Sequence, residues 1–343
     1  MTDVRGVTAP PLAIPTVDLR ADPGLLRDGL REAGHGVGFF YLIGHGVSPD
    51  LVTRVLDAAR RLFALPQQDK DAVAMVRSPH FRGYTRLGGE LTRGEVDWRE
   101  QIDVGPQRPP IAGLDKSDYR WLQGPNQWPA ALPDLPGLLE EWDAALSAVA
   151  RTLLQQWAAS LGGSPDVFDA AFADAPATLI KVIRYPGRAA GSQGVGAHRD
   201  AGVLTLLLGE PGSTGLQVRP PRRGGSDDGW IDVPPREGAF IVNIGELLEV
   251  ATRGYLRATE HRVNLHGRAH DRISVAFFFN PRLDARIPVL SLPDELEARA
   301  QRVDDPADPI FAVYGRNAWK SRLRAHPDVA AAHGYSADRL GNG

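Results

Sequence analysis

The 343-residue chain contains no cysteine. Disulfides, thiolate metal sites and a cysteine nucleophile are therefore excluded, and nothing calls for an oxidising compartment. It also lacks a run of one charge. Its 39 Lys and Arg stand against 42 Asp and Glu, a formal net charge of −3, so the basic excess that nucleic-acid binding draws on is missing. No apolar stretch approaches the roughly 20 residues of a membrane span, and Met1 to Pro15 shows no basic segment followed by an apolar core. The expectation is a cytoplasmic protein with no membrane and no nucleic-acid partner, a monomer by default with an oligomer left open. Several catalytic signatures are missing as well: a Gly-x-Ser-x-Gly elbow, a phosphate loop and a His-Glu-x-x-His zinc motif. Gly34-His35-Gly36-Val37-Gly38 departs from a dinucleotide fingerprint in spacing and context, and His266 and His270 flank a polar turn.

What is present is an ordinary apolar content of 43%, enough for a sizeable core. Ile14 to Leu19 reads as a short strand and Gly24 to Ala33 as a helix stopped by Gly34. Gly38 to Ile43 reads as a buried strand, and Ser48-Pro49-Asp50 opens a helix to Leu65 with a capping serine and a first-turn proline. Arg77 to Pro136 is rich in Pro, Gly and Trp with little periodicity, the mark of an elaborated loop region packed over something. A long amphipathic helix spans Leu138 to Leu161. Beyond it, short apolar runs recur at Thr178 to Tyr185, Val203 to Leu208, Gly215 to Val218, Gly229 to Val233, Ala239 to Ile244 and Ile273 to Asn280, separated by Gly and Pro turns. Many short strands of this kind fit a double-sheet jelly roll, which buries both sheets and keeps a mouth for a ligand.

Chemistry-bearing residues gather in this second half. In locally extended backbone His198 and Asp200, at i and i+2, point the same way and can offer a nitrogen and an oxygen to one ion. A third ligand must come from elsewhere, and His261 is available; two histidines and one carboxylate leave iron(II) with open coordination positions. Taken alone, such a triplet is more often a hydrogen-bonded surface pair than a metal site. Arg272 and Ser274 lie on one face of a strand with Ala276 and Phe278, a mixture natural for a pocket wall. Arg272 as a surface charge and Tyr185 as a core aromatic are the plain alternatives.

The block from His198 to Leu208 resembles the iron-binding segment of iron(II)/2-oxoglutarate-dependent dioxygenases of the isopenicillin N synthase-like branch. Gly38 to Val47, Arg82-Gly83-Tyr84 through Asp97-Trp98-Arg99-Glu100, Gly215 to Val218, Trp230 to Val233, Asn243-Ile244-Gly245, Glu260 to Val263 and Arg272 to Asn280 follow in that family's order. The resemblance implies an α+β fold: a double-stranded β-helix (jelly-roll) core with flanking N-terminal helices and a C-terminal extension. Residues 1–136 would form the N-terminal region with the substrate-side loop, and 137–343 the oxygenase core with its supporting helix and tail. It implies Fe(II) held by His198, Asp200 and His261, and 2-oxoglutarate clamped by Arg272 and Ser274 with Tyr185 completing the pocket. O2 would be the oxidant. The implied reaction is hydroxylation, desaturation or cyclisation of a small molecule through an iron(IV)-oxo intermediate, with release of succinate and CO2. Arg82, Tyr84, Gln101 and Asp103 would belong to a loop closing over the barrel mouth, as substrate contacts or as anchors of that loop. Arg184 and Asn243 are further candidates beside the substrate, and Phe278 is the apolar one; each has a structural alternative. Two other readings stay open: an iron oxidase of the same fold that needs no 2-oxoglutarate, of the isopenicillin N synthase or ethylene-forming type, and a catalytically silent binding protein.

Overall fold

A computed structural model describes residues 13–187, 193–220, 229–266, 270–301 and 308–336. Residues 1–12 of the expected lead segment, and Gly267 and Arg268 of the polar turn, lie outside the described residues. The first strands are β1 (Thr16–Asp18), β2 (Phe39–Ile43), β3 (Gly83–Thr85), β4 (Leu91–Thr92), β5 (Glu95–Val96) and β6 (Glu100–Val104). The second half supplies β7 (Leu179–Tyr185), β8 (Gln193–His198), β9 (Leu204–Gly209), β10 (Leu216–Arg219) and β11 (Ile231–Asp232). It ends with β12 (Phe240–Ile244), β13 (Glu260–Asn264) and β14 (Arg272–Phe279).

These strands form an eight-stranded sheet in the order β1-β2-β12-β9-β14-β7-β6-β3, a four-stranded sheet β11-β10-β13-β8, and a β4-β5 hairpin. Every pairing is antiparallel except β1 with β2. The large sheet thus draws strands from both the 1–136 and the 137–343 regions. Its period-2 alternation separates two environments. Ile102, Val182, Val275 and Leu208, mutual neighbours across β6, β7, β14 and β9, face the helices, whereas Ile183, Tyr185 and Ala276 pack with Val195, Val218 and Val263 of the smaller sheet. This is the expected jelly-roll arrangement, with helices flanking the core.

The helices follow their local signals. Pro23–Gly36 starts on Asp22, whose carboxylate accepts from the Gly24 amide at 2.9 Å. Pro49–Ala64 starts on the expected proline, but Ser48 makes no side-chain bond to it; the proline alone satisfies the first-turn geometry. Leu135–Ser160 buries Trp142, Leu146, Leu153 and Trp157 against the sheet. Among the described residues no helix is long and apolar enough to cross a membrane. Trp157 is fully buried, meets Phe40 edge-on at 5.8 Å and donates to the Leu30 carbonyl at 3.0 Å. Trp157→Ala is therefore expected to cost about 3–5 kcal/mol of folding stability, read from denaturant midpoints.

One expectation is corrected here. The segment from Arg77 to Pro136 is not loop throughout, because β3 and β6 extend the large sheet within it. Short strands full of polar residues carry weak periodicity, and their ion pairs become legible only across strands. The C-terminal extension is helical. Helices Tyr314–Ala325 and Pro327–His333 pack Trp319 and Val329 against Phe81, Met75 and Leu122.

Candidate active site

A cavity of about 1290 Å³ opens between the two sheets. His198 closes β8, and His261 sits opposite it in register on β13, so strand pairing alone brings the two imidazoles to 4.2 Å between ring centroids. Asp200 lies in the turn after β8. That turn is fastened by the start of the Glu246–Ala251 helix: the Glu246 amide donates to the Asp200 carbonyl at 2.8 Å and the Leu247 amide to Gly202 at 3.0 Å. Gly245 makes the approach possible, since a Cβ there would stand 2.2 Å from the Gly202 carbonyl oxygen.

Asp200 Oδ1 lies 3.6 Å from His198 Nε2 and 3.7 Å from His261 Nε2. Asp200 Oδ2 instead accepts from Thr205 Oγ1 at 2.6 Å and Asn243 Nδ2 at 2.8 Å. The Nδ1 atoms of His198 and His261 meet the Gly196 and Thr259 carbonyls at 2.8 and 3.1 Å. A carbonyl only accepts, so each Nδ1 carries a proton, and the neutral form of each ring then presents an Nε2 lone pair to the space they share. Burial, and then the neighbouring His261, push His198 well below its ordinary value, which keeps it neutral. Burial by itself would raise Asp200, but the two histidines and the bonds from Thr205 and Asn243 outweigh it and hold the carboxyl below its ordinary value. Two imidazole nitrogens and one carboxylate oxygen, all within 4.8 Å of one another, form a donor set suited to a divalent cation with positions left open.

The wall beside this cluster is built from β7 and β14. Tyr185 is in register with Arg272, and Ile183 with Ser274. Arg272 is 1% exposed, its guanidinium stands 4.7 Å from the Tyr185 ring centre, and Nη1 reaches Ser274 Oγ at 3.3 Å. Its Nε has no acceptor, and among the described residues no carboxylate pairs with it. Burial pushes this guanidinium down from its ordinary value, and the Tyr185 hydroxyl offsets part of that. A fully buried cation with no counter-ion costs several kcal/mol to desolvate, so the pocket is arranged for an anion.

Of the remaining candidates, Arg82, Asn243 and Phe278 line the cavity, with Phe278 on the same face as Arg272, Ser274 and Ala276. Tyr84, Gln101, Asp103 and Arg184 do not line it. Tyr84 and Arg184 lie on the helix-facing side of the sheet, where both contact Glu100. Gln101 and Asp103 face inward but are fully buried and consumed by each other and by cations: Gln101 Nε2 donates to Asp103 at 2.7 Å, and Arg322 Nη1 bonds Asp103 Oδ2 at 2.5 Å. Besides Arg82, the middle segment reaches the cavity through Glu90, Arg99 and Leu122 and through the β4-β5 hairpin, with Leu91, Thr92, Arg93 and Gly94.

Sequence reasoning missed Thr205, whose signal was a hydroxyl inside the apolar run of β9. It also missed Lys181 and Arg322, which enter the cavity wall from elements that show no motif. Glu246 was missed too: it lines the cavity, and burial pushes its carboxyl up to about 7.

Comparison with known proteins bears on these features. Residues 14–131 match the family described as non-haem dioxygenase in morphine synthesis N-terminal, and residues 177–281 match the 2OG-Fe(II) oxygenase superfamily. The 2-oxoglutarate-dependent dioxygenase frbJ of Dothideomycetidae sp. (strain 11243) is 32% identical over 92% of this chain and 90% of its own. A homoarginine-6-hydroxylase of Arabidopsis thaliana is 33% identical over 83% of this chain and 78% of its own. Among solved structures, a 2OG-Fe(II) oxygenase family protein from Caulobacter crescentus superposes with a TM-score of 0.72 at 26% identity, covering 91% of this chain and 98% of the other. JOX2, crystallised with 2OG, Fe and JA, superposes at 0.68 with 25% identity, over 93% and 88% of the two chains.

Proposed function

The chain belongs to the 2OG-Fe(II) oxygenase superfamily, and from that premise we propose that His198, Asp200 and His261 hold its Fe(II) while Arg272, Ser274 and Tyr185 hold the far carboxylate of 2-oxoglutarate. The enzyme is an oxidoreductase that uses Fe(II), 2-oxoglutarate and O2 on a small-molecule substrate. The reaction we assign is hydroxylation: one oxygen atom of O2 enters a C–H bond of the substrate, the other enters succinate, and CO2 leaves. Bound iron supplies the oxygen activation that couples these two oxidations.

The observation that carries the residue assignment is the complementarity of two unsatisfied features on one wall. The triad offers two lone pairs and a negative oxygen without a cation. Arg272 offers a buried positive charge without an anion. A dicarboxylate that chelates the metal at one end and meets Arg272 at the other satisfies both. The chain's own work is positional. Gly196 and Thr259 fix the imidazole tautomers, Thr205 and Asn243 occupy Asp200 Oδ2 so that Oδ1 turns toward the histidines, and Phe39, edge-on to His261 at 5.1 Å, screens one side. Phe278 and Ala276 give the substrate an apolar flank next to the cluster. Homoarginine, named in the Arabidopsis relative, is a reasonable first compound for a substrate screen.

Anaerobic titration with Fe(II) and then 2-oxoglutarate tests this reading directly, followed by a screen for substrate-dependent succinate. Binding of iron without 2-oxoglutarate would overturn the clamp. One change measures the positioning role separately: Thr205→Val keeps shape but removes the hydroxyl, and Fe(II) affinity is expected to fall about tenfold. An unchanged Fe(II) dissociation constant would show that Thr205 does not orient Asp200.

A further inference from the structure

The cavity extends from the triad to a second charged region at the β3 edge of the large sheet. Three carboxylates lie there, and each is matched. Glu90 pairs with Arg99 at 2.8 Å and Lys181 at 2.7 Å, Asp97 with Arg99 at 3.2 Å, and Asp103 with Arg322 at 2.5 Å and Lys181 at 3.6 Å. Three cations thus neutralise three anions. Arg82 is the fourth cation. It is 7% exposed, lines the cavity, leaves Nε without an acceptor, and has no carboxylate partner among the described residues. Its single side-chain bond runs from Nη2 to the Leu122 carbonyl at 3.0 Å. Burial, and next the charge of Arg322, push its guanidinium down to about 10, and Asp103 and Tyr314 oppose this only in part, the direction expected where no carboxylate is in direct contact.

The placement is built rather than incidental. Gln127 Nε2 donates to the Arg82 carbonyl at 2.7 Å, and Gly105 makes room for the guanidinium: a Cβ there would stand 2.3 Å from Nη2. An uncompensated buried charge is a standing cost to folding. Asp103 and Tyr314 recover part of that cost from a distance, and an anionic ligand in direct contact with the guanidinium would recover more.

Resting on the oxygenase reading above, we infer that the substrate is an elongated organic carboxylate, and that Arg82 is the specificity-determining residue that receives its carboxylate. Arg82 directly precedes β3, four strands from β9, whose Thr205 holds Asp200, so at ordinary strand spacing the two ends are separated by roughly 19 Å of sheet. The anion is therefore bound far from the carbon that is oxidised. The apolar residues between, Leu179, Ala276 and Phe278, suit the aliphatic part of such a molecule.

The test uses the full chain loaded anaerobically with Fe(II) and saturating 2-oxoglutarate, so that Arg272 is occupied, with hexanoate and its neutral partner hexanamide as probes. Binding is read from melting-temperature shifts over a concentration series. Wild type is expected to bind hexanoate about tenfold more tightly than hexanamide, because a charge-assisted bond to a buried guanidinium is made by only one of them. Arg82→Gln should abolish the preference, and Arg82→Lys should retain part of it. Equal affinity for the two probes in wild type, no response to either, or a preference that survives Arg82→Gln overturns the inference. The wild-type comparison stands even where a variant fails to fold. Failure of Fe(II) or 2-oxoglutarate to shift the melting temperature would instead count against the oxygenase site assignment, and dependence of the hexanoate response on Arg82 would still decide the carboxylate site.

Discussion

Asp200→Ala is expected to abolish substrate-dependent succinate release and to weaken Fe(II) binding by on the order of 10³-fold or more. Residues that merely orient a ligand are worth roughly 10–100-fold in metal affinity, so removal of the one anionic donor should exceed that range. The carboxylate faces two imidazoles at 3.6 and 3.7 Å, and it is the one anionic donor of the cluster that can neutralise the charge of a divalent ion. A loss of folding stability has to be separated from this effect. In the metal-free chain the histidines and the bonds from Thr205 and Asn243 more than offset the desolvation of Asp200, so its removal is expected to cost some stability as well. The measurement that separates the two effects is thermal unfolding with and without Fe(II) under anaerobic conditions. At a metal concentration 100 times its dissociation constant, wild type should gain about 2.7 kcal/mol of stability. The variant should unfold at the same temperature with and without metal. A variant that still shows the Fe(II)-dependent shift would remove Asp200 from the ligand set.

Arg272→Met is expected to raise the KM for 2-oxoglutarate by roughly 100-fold, since charge-assisted hydrogen bonds are worth about 1.5–3 kcal/mol each in a dry site. The sign of the stability effect distinguishes a clamp from a structural arginine. Arg272 is buried with Nε unsatisfied, so a neutral side chain of similar length relieves desolvation and should leave the unliganded protein as stable as wild type or more so. A structural arginine would show the reverse, with a lower melting temperature and an unaltered KM. Ser274→Ala should act in the same direction with a smaller effect, having one neutral hydroxyl to lose.

The two predictions differ in how far the sequence alone could reach them. His198 and Asp200 stand two apart and Arg272 and Ser274 two apart, so local spacing was enough to suggest shared faces. It could not say which side of the sheet each face looked upon. Tyr84 and Arg184 illustrate the difference: both fall in segments of the right order, yet strand alternation turns them toward the helices, where they meet Glu100. Gln101 and Asp103 point inward and are still unavailable, because Arg322, 219 residues away along the chain, occupies Asp103. No local pattern announces such a partner. Thr205 has the same character: it looks like a single polar residue in an apolar run until the carboxylate it holds is visible in the fold. Arg82 was a candidate from the Arg82-Gly83-Tyr84 segment, but its lack of a carboxylate partner among the described residues is visible only across the sheet.

The sequence by itself determined the chemistry that was possible. With no cysteine and no basic excess, and with histidine, carboxylate and arginine recurring among short alternating strands, it pointed to a jelly roll with a non-thiolate metal site. The strand periods and the proline at the start of the Pro49–Ala64 helix were likewise legible, because they depend on residues a few positions apart. The tertiary structure decided what each charge is paired with. His261 reaches His198 through a strand register closed over 63 residues, and among the described residues Arg272 and Arg82 are distinguished from the other buried cavity cations, Arg99, Lys181 and Arg322, by lacking a carboxylate partner. Pairing is a property of distance in space, and in a sheet of this order neighbouring strands come from remote parts of the chain.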